Sequence, residues 1–188
     1  MKQNTIPFEK MPELRRKAYV DALLATRAGK TIIGYFGADV PEYIIHDCGA
    51  YAVPVMGLDG YIFSHNEPEE QQVDCVCDVI RSTLTYLKKD KCPLQHASSA
   101  YVLGGSCPEM YKAIRAATDK PVYQFMGDER ALETWLREIL DNPVVKQTTS
   151  QNIFREINNR LNRMATQGIS GRDLWLTVTY VNYILEPE

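Results

Sequence analysis

The stretch that decides the fold is Thr31-Ile32-Ile33-Gly34-Tyr35-Phe36-Gly37-Ala38-Asp39-Val40-Pro41-Glu42-Tyr43-Ile44-Ile45-His46-Asp47-Cys48-Gly49-Ala50-Tyr51-Ala52-Val53-Pro54-Val55. Thr31 to Phe36 is a short apolar run after Gly29-Lys30, the signature of a buried strand. Pro41 opens a helix over Glu42 to Cys48 and Gly49 closes it, the usual Pro-early, Gly-late asymmetry. Ala50 to Met56 reads as a second strand. Pro54 has no N–H to donate, so this strand is short or lies at an edge.

The pattern continues on both sides. Residues 12–28 form a helix stopped by Gly29. Residues 58–72 are loop-like, with Gly60, Asn66 and Pro68. Val73, Val76, Ile80, Leu84 and Leu87 then recur at helical spacing, which predicts a helix over 73–89. Ser99 to Leu103 is a third strand, ended by Gly104-Gly105, and Pro108 starts a helix to about Thr118. Pro121 to Met126 is a fourth strand. Leu132, Trp135, Leu136, Ile139 and Leu140 make an amphipathic stripe over 129–141. Strands alternating with helices imply a parallel sheet covered on both faces. The expected class is α/β, a Rossmann-like or flavodoxin-like sheet of about four strands flanked by helices.

Asp141-Asn142-Pro143 marks a boundary, with an α/β domain over 1–142 and a helical appendage over 143–188. Ser150 is read as the cap of its first helix, whose apolar residues are Ile153, Ile157, Leu161 and Met164. Ser170 and Asp173 make a capping-box-like start for the second, with Leu174, Val178 and Val181 inside. Two apolar stripes after a complete sheet need cover. They either fold back on the first domain or begin a second lobe that this chain lacks.

Composition restricts the function. Hydrophobic residues are 45% and charged residues 24%, so the chain is globular rather than disordered. A net charge of −3 and a pI near 5.7 argue against nucleic acid as a partner, since the densest basic stretch, Lys88-Lys89-Asp90-Lys91, is interrupted by Asp90. Met1 to Lys10 has no apolar core of a signal peptide, and no run is long enough to span a membrane. The expectation is a soluble cytoplasmic protein whose five cysteines are reduced.

Cys107 carries the strongest local argument. It follows a strand and two glycines and precedes Pro108, which sets it near a helix N-cap at the carboxyl end of a buried strand. Ligand sites of open α/β sheets sit at that end, and a helix N-terminus favours the thiolate of a cysteine. The alternative is a small residue packed at a tight turn. Cys75 and Cys77, at the start of the 73–89 helix, point to different faces. Their C-x-C spacing is not that of a zinc knuckle, and Cys77 is expected beside the apolar stripe. Cys48 reads as core and Cys92 as incidental to a lysine-rich loop. His46, His65 and His96 are scattered. Ala113 stands where a tyrosine-phosphatase motif would need arginine, and no Walker-type lysine or Gly-x-Gly-x-x-Gly occurs.

The segment Gly34 to Val55, with its Val40-Pro41-Glu42 and Cys48-Gly49-Ala50, resembles the first βαβ segment of 2-hydroxyacyl-CoA dehydratase subunits (the 2-hydroxyglutaryl-CoA dehydratase and benzoyl-CoA reductase-like family). Cys77-Asp78-Val79-Ile80-Arg81-Ser82-Thr83-Leu84 resembles the family's first cluster-cysteine helix, and Ser106-Cys107-Pro108 its second. Gln151 to Glu188 is similar to the paired helices that lead to a second lobe. The likeness covers nearly the whole chain but only the first half of a family subunit. Gly37 and Cys48 depart from the residues common there.

The resemblance implies that Cys77 and Cys107 bind a [4Fe–4S] cluster, and that Gly104-Gly105 let the cluster approach the backbone. In the family three cysteines hold the cluster and the third comes from the second lobe. Cys75 or a separate chain would have to supply it here. The implied chemistry is radical dehydration of a 2-hydroxyacyl-CoA. An ATP-dependent activator delivers one electron, the thioester becomes a ketyl radical anion, and hydroxide leaves the neighbouring carbon. The implied partners are a companion dehydratase subunit or second lobe, the activator and an acyl-CoA substrate. Arg81 is a further charge near this site, or a solvated helix arginine. Two other readings stand beside this one: a scaffold or partner subunit that keeps the fold without a cluster, and a thiol-based protein using Cys107 alone.

Overall fold

A computed structural model describes residues 8–55, 77–105, 107–140 and 149–181. After a 3-10 turn, Phe8–Lys10, the elements run α1 (Met11–Arg27), β1 (Ile32–Phe36), α2 (Glu42–Asp47), β2 (Tyr51–Pro54), α3 (Asp78–Lys88), α4 (Pro93–Ala97), β3 (Ala100–Gly104), α5 (Pro108–Ala117), β4 (Val122–Phe125), α6 (Glu129–Ile139), α7 (Thr149–Thr166) and α8 (Gly171–Val181). The strands form one four-stranded, all-parallel sheet in the order β2-β1-β3-β4. This is the expected α/β, Rossmann-like or flavodoxin-like class with a helical C-terminal part.

Side chains alternate across the sheet with the strand period of two. Ile32 and Phe36 of β1, Val53 of β2, and Tyr101 and Leu103 of β3 face one layer with Ala22 (α1), Ile80 and Leu84 (α3), Leu94 (α4) and Ile114 (α5). Ile33 and Tyr35, Ala52, Val102 and Phe125 face the other with Ile44 and Ile45 (α2) and Leu132 and Leu136 (α6). Each fully buried Leu or Ile stabilises the fold by about 1.5–3 kcal/mol. All five residues of β1 and of β3 are buried, whereas β2 and β4 are partly exposed. The central pair therefore carries the core, and the Pro54-bearing strand is an edge as its chemistry requires.

Three local expectations differ. Pro93–Ala97 is a short helix rather than loop; Pro93 pre-sets its first turn, and Leu94 and Ala97 are buried. The 73–89 helix begins at Asp78, with residues 73–76 outside the described part. Ser150 lies inside α7, which starts at Thr149, whereas Ser170 caps α8 by accepting a bond from the Asp173 N–H at 3.1 Å.

The last two helices pack on the sheet domain. α7 contacts α2, and α8 contacts both α7 and α1. The Phe154 ring of α7 lies 5.3 Å from His46, whose ring is 6.2 Å from Tyr51 of β2. Since α2 and α1 cover opposite faces, the α7–α8 pair reaches around the β2 side of the sheet.

Candidate functional site at the carboxyl rim

In the order β2-β1-β3-β4 the chain leaves β1 first toward β2 and later toward β3, so the topological switch point lies between β1 and β3. Open α/β sheets form their ligand crevices there, outside the carboxyl ends of the strands. Two glycine-bearing loops meet at this place. Asp39, after β1, reaches across with Oδ2 to accept the Gly105 N–H at 3.1 Å. A Cβ on Gly104 would lie 1.9 Å from Asp39 Oδ1, so only glycine permits the approach. Gly37 has φ +102, and a Cβ there would also crowd Asp39 Oδ1, at 2.8 Å. The expected opening of the Gly104-Gly105 backbone to a cofactor is not met at Gly104. The Asp39 carboxylate fills that space.

Crossover helices of a parallel sheet run back against the strands, so α2, α5 and α6, which follow β1, β3 and β4, begin at this rim, and α3 packs beside α5. Cys77 is the N-cap of α3 and Cys107 the N-cap of α5, and these two helices pack against each other. Both cysteines have extended backbones, and their carbonyls accept the first-turn bonds from Arg81 N at 3.1 Å and Tyr111 N at 3.3 Å. Neither side chain caps its helix, so both thiols are spared that task. Cys107 is half-buried against the core on the α3–α5 face of the sheet. Cys77 is exposed rather than inward, because the helix starts one residue later and lifts it off the apolar stripe. Cys75 and Ser106 lie outside the described residues.

Carboxylates mark the helix starts. Each of the four helix starts carries its own acid in the first turn: Glu42, Asp78, Glu109 and Glu129. These acids already complement the helix dipoles, which disfavours the rim as a phosphate cradle. Arg81 pairs with Asp78 at 4.0 Å on the solvent side. Burial pushes the Glu42 carboxyl above its ordinary range, against a hydrogen bond from the Tyr35 hydroxyl. Burial and then the Glu129 carboxylate push Tyr43 up to about 12. Met126, after β4, is 71% exposed beside Gly105.

The other candidates fall elsewhere. Cys48 is core, as read from its helix face, and burial pushes its thiol up to about 11. Cys92 is the N-cap residue of α4, also without a side-chain capping bond, and packs on the core. His96 pairs with Asp90 at 2.9 Å, and His65 lies outside the described part. Asp39 is the residue whose role the sequence reading missed. Its partner is 66 positions away, and the only sequence signal was Gly-x-Asp after one strand and Gly-Gly after another. Among the described residues no three His, Cys, Asp or Glu side chains converge as a metal-binding group. Nor is any helix among them long and apolar enough to cross a membrane. Neither the family models nor the curated proteins contain a match to this chain.

Proposed function

We propose that this chain is the α/β lobe of a truncated or split 2-hydroxyacyl-CoA dehydratase-like subunit. Cys77 and Cys107 are then two thiolate ligands of a [4Fe–4S] cluster whose remaining ligand comes from a companion chain or second lobe. One observation carries the reading: α3 and α5, two helices that pack against each other, each open with a cysteine N-cap that makes no capping bond. The donor chemistry fits such a cluster, but two thiolates do not complete one, and no third described donor joins them. The described residues therefore do not hold the cluster by themselves. The acids at the four helix starts support the reading, because negative surroundings lower a cluster's potential. The acyl-CoA substrate, the activator and a cytoplasmic setting belong to the same proposal.

The missing third ligand equally favours a second reading, a scaffold subunit without a cluster. Anaerobic reconstitution with ferrous iron, sulfide and excess of a small thiol separates the two, since the thiol can occupy the open ligand position. Iron and acid-labile sulfide should bind the wild type and be lost in Cys77→Ser and in Cys107→Ser, with unchanged circular dichroism. A wild type that takes up no iron, or variants that keep it, would leave the scaffold.

A further inference from the structure

α1 buries Ala18 and Ala22 and turns the opposite face to solvent. On that face Val20 is 53% exposed, Leu23 38% and Leu24 54%, three of the five large apolar side chains left most open in the described chain. A single exposed leucine needs no explanation, but three adjacent ones on one helical face do. Glu13 and Arg27 flank them, both exposed and neither in an ion pair among the described residues.

The spacing is self-complementary. Glu13, Val20 and Arg27 are seven residues apart on either side of Val20, and a seven-residue step returns to nearly the same side of a helix. Two copies of α1 laid antiparallel about a two-fold axis at Val20 set Glu13 of each opposite Arg27 of the other, about 10 Å from the axis on each side. The same register sets Leu24 against Arg16 and Leu23 against Lys17, whose aliphatic stems can cover the leucines. A parallel pairing would instead oppose Glu13 to Glu13 and Arg27 to Arg27. The charges thus select one arrangement and disfavour the other.

We infer that the exposed face of α1 is a self-association surface, on which a second copy of this chain docks antiparallel through Val20, Leu23 and Leu24 with paired Glu13–Arg27 contacts at both ends. One helix face is small beside the ~1,200–2,000 Å² of a standard interface, so the dimer is concentration-dependent. The inference is independent of the cluster reading.

Sedimentation velocity over a concentration series of the full chain tests it. The wild type should shift from monomer to dimer, less readily at high salt. Glu13→Arg or Arg27→Glu should each weaken dimerisation by roughly tenfold, as two like-charge contacts replace two ion pairs. The double reversal Glu13→Arg with Arg27→Glu should restore it, and Val20→Asp, which brings two carboxylates together at the axis, should abolish it. All three positions are exposed, and thermal melts check that each variant is folded. A wild type that stays monomeric throughout, single reversals without effect, or a double reversal that fails to rescue would each overturn the inference.

Discussion

The polar cluster beneath α4 and the polar groups of the carboxyl rim are built from similar side chains and used in opposite ways. Beneath α4, almost every donor ends on a backbone carbonyl. Gln95 Nε2 donates to Val55 O at 2.9 Å, Tyr101 Oη to Gln95 O at 2.9 Å, Lys120 Nζ to the same oxygen at 2.9 Å, and Ser98 Oγ to Leu94 O at 2.7 Å. Lys120 also lies 5.6 Å over the Tyr101 ring. Buried polar groups have to be paired in this way, because an unmade bond costs more than a made one gains. At the rim Asp39 is tied to backbone across the sheet, and the two cysteine side chains make no capping bond. One region uses its polar groups for architecture, and in the other the two thiols take no part in helix capping.

Gly104→Ala should have the largest effect on that contrast. Its methyl group collides with the Asp39 carboxylate, and a loss of about 3 kcal/mol in urea unfolding is expected. In an Asp39→Ala background the same substitution should cost much less, a coupling that a double-mutant cycle reads directly. Additive costs would mean that Asp39 does not close the two loops. Gln95→Ala should follow, at about 2 kcal/mol from a lost buried hydrogen bond and a small cavity. It should leave the rate at which Cys107 reacts with a thiol reagent unchanged. A changed rate would join the two regions that the comparison separates.

The smallest effect is a pH dependence at Glu42. Burial raises its folded carboxyl above the ordinary value, so the stability it contributes is fully present below the unfolded range. That stability is lost as pH rises through the folded value. Glu42→Gln removes the cost of the buried charge. The variant should melt at a higher temperature than the wild type near neutral pH and at the same temperature in acid. A wild type as stable as the variant at neutral pH would mean that the Glu42 charge is solvated.

The sheet was legible because its signals are local. Thr31 to Phe36 is apolar without a break, Pro54 confines its strand to an edge, and Gly29 and Gly49 close their helices at φ +75 and +85. Pro93–Ala97 was missed because the lysines before it suggested loop, although Pro93, Leu94 and Ala97 carried the helix signal. Cys107 could be set at a helix cap from Gly-Gly before it and Pro after it. Cys77 could not, since the apolar period extends upstream of the point where the helix begins. The Asp39–Gly105 bond had no local signal at all, because strand order alone brings those two loops together.

Among the described residues, α7 and α8 guard one margin of this sheet, packing on α2 and α1, the helices that cover its two faces. A strand offered from outside, by another chain or by a misfolded copy, would find the β2 margin flanked by helices. β4 pairs only with β3 among the described strands. Among the described strands Val122–Phe125 is therefore the more open margin for augmentation, productive or pathological, and a proline or a lysine introduced there would guard it more effectively than one introduced in β2.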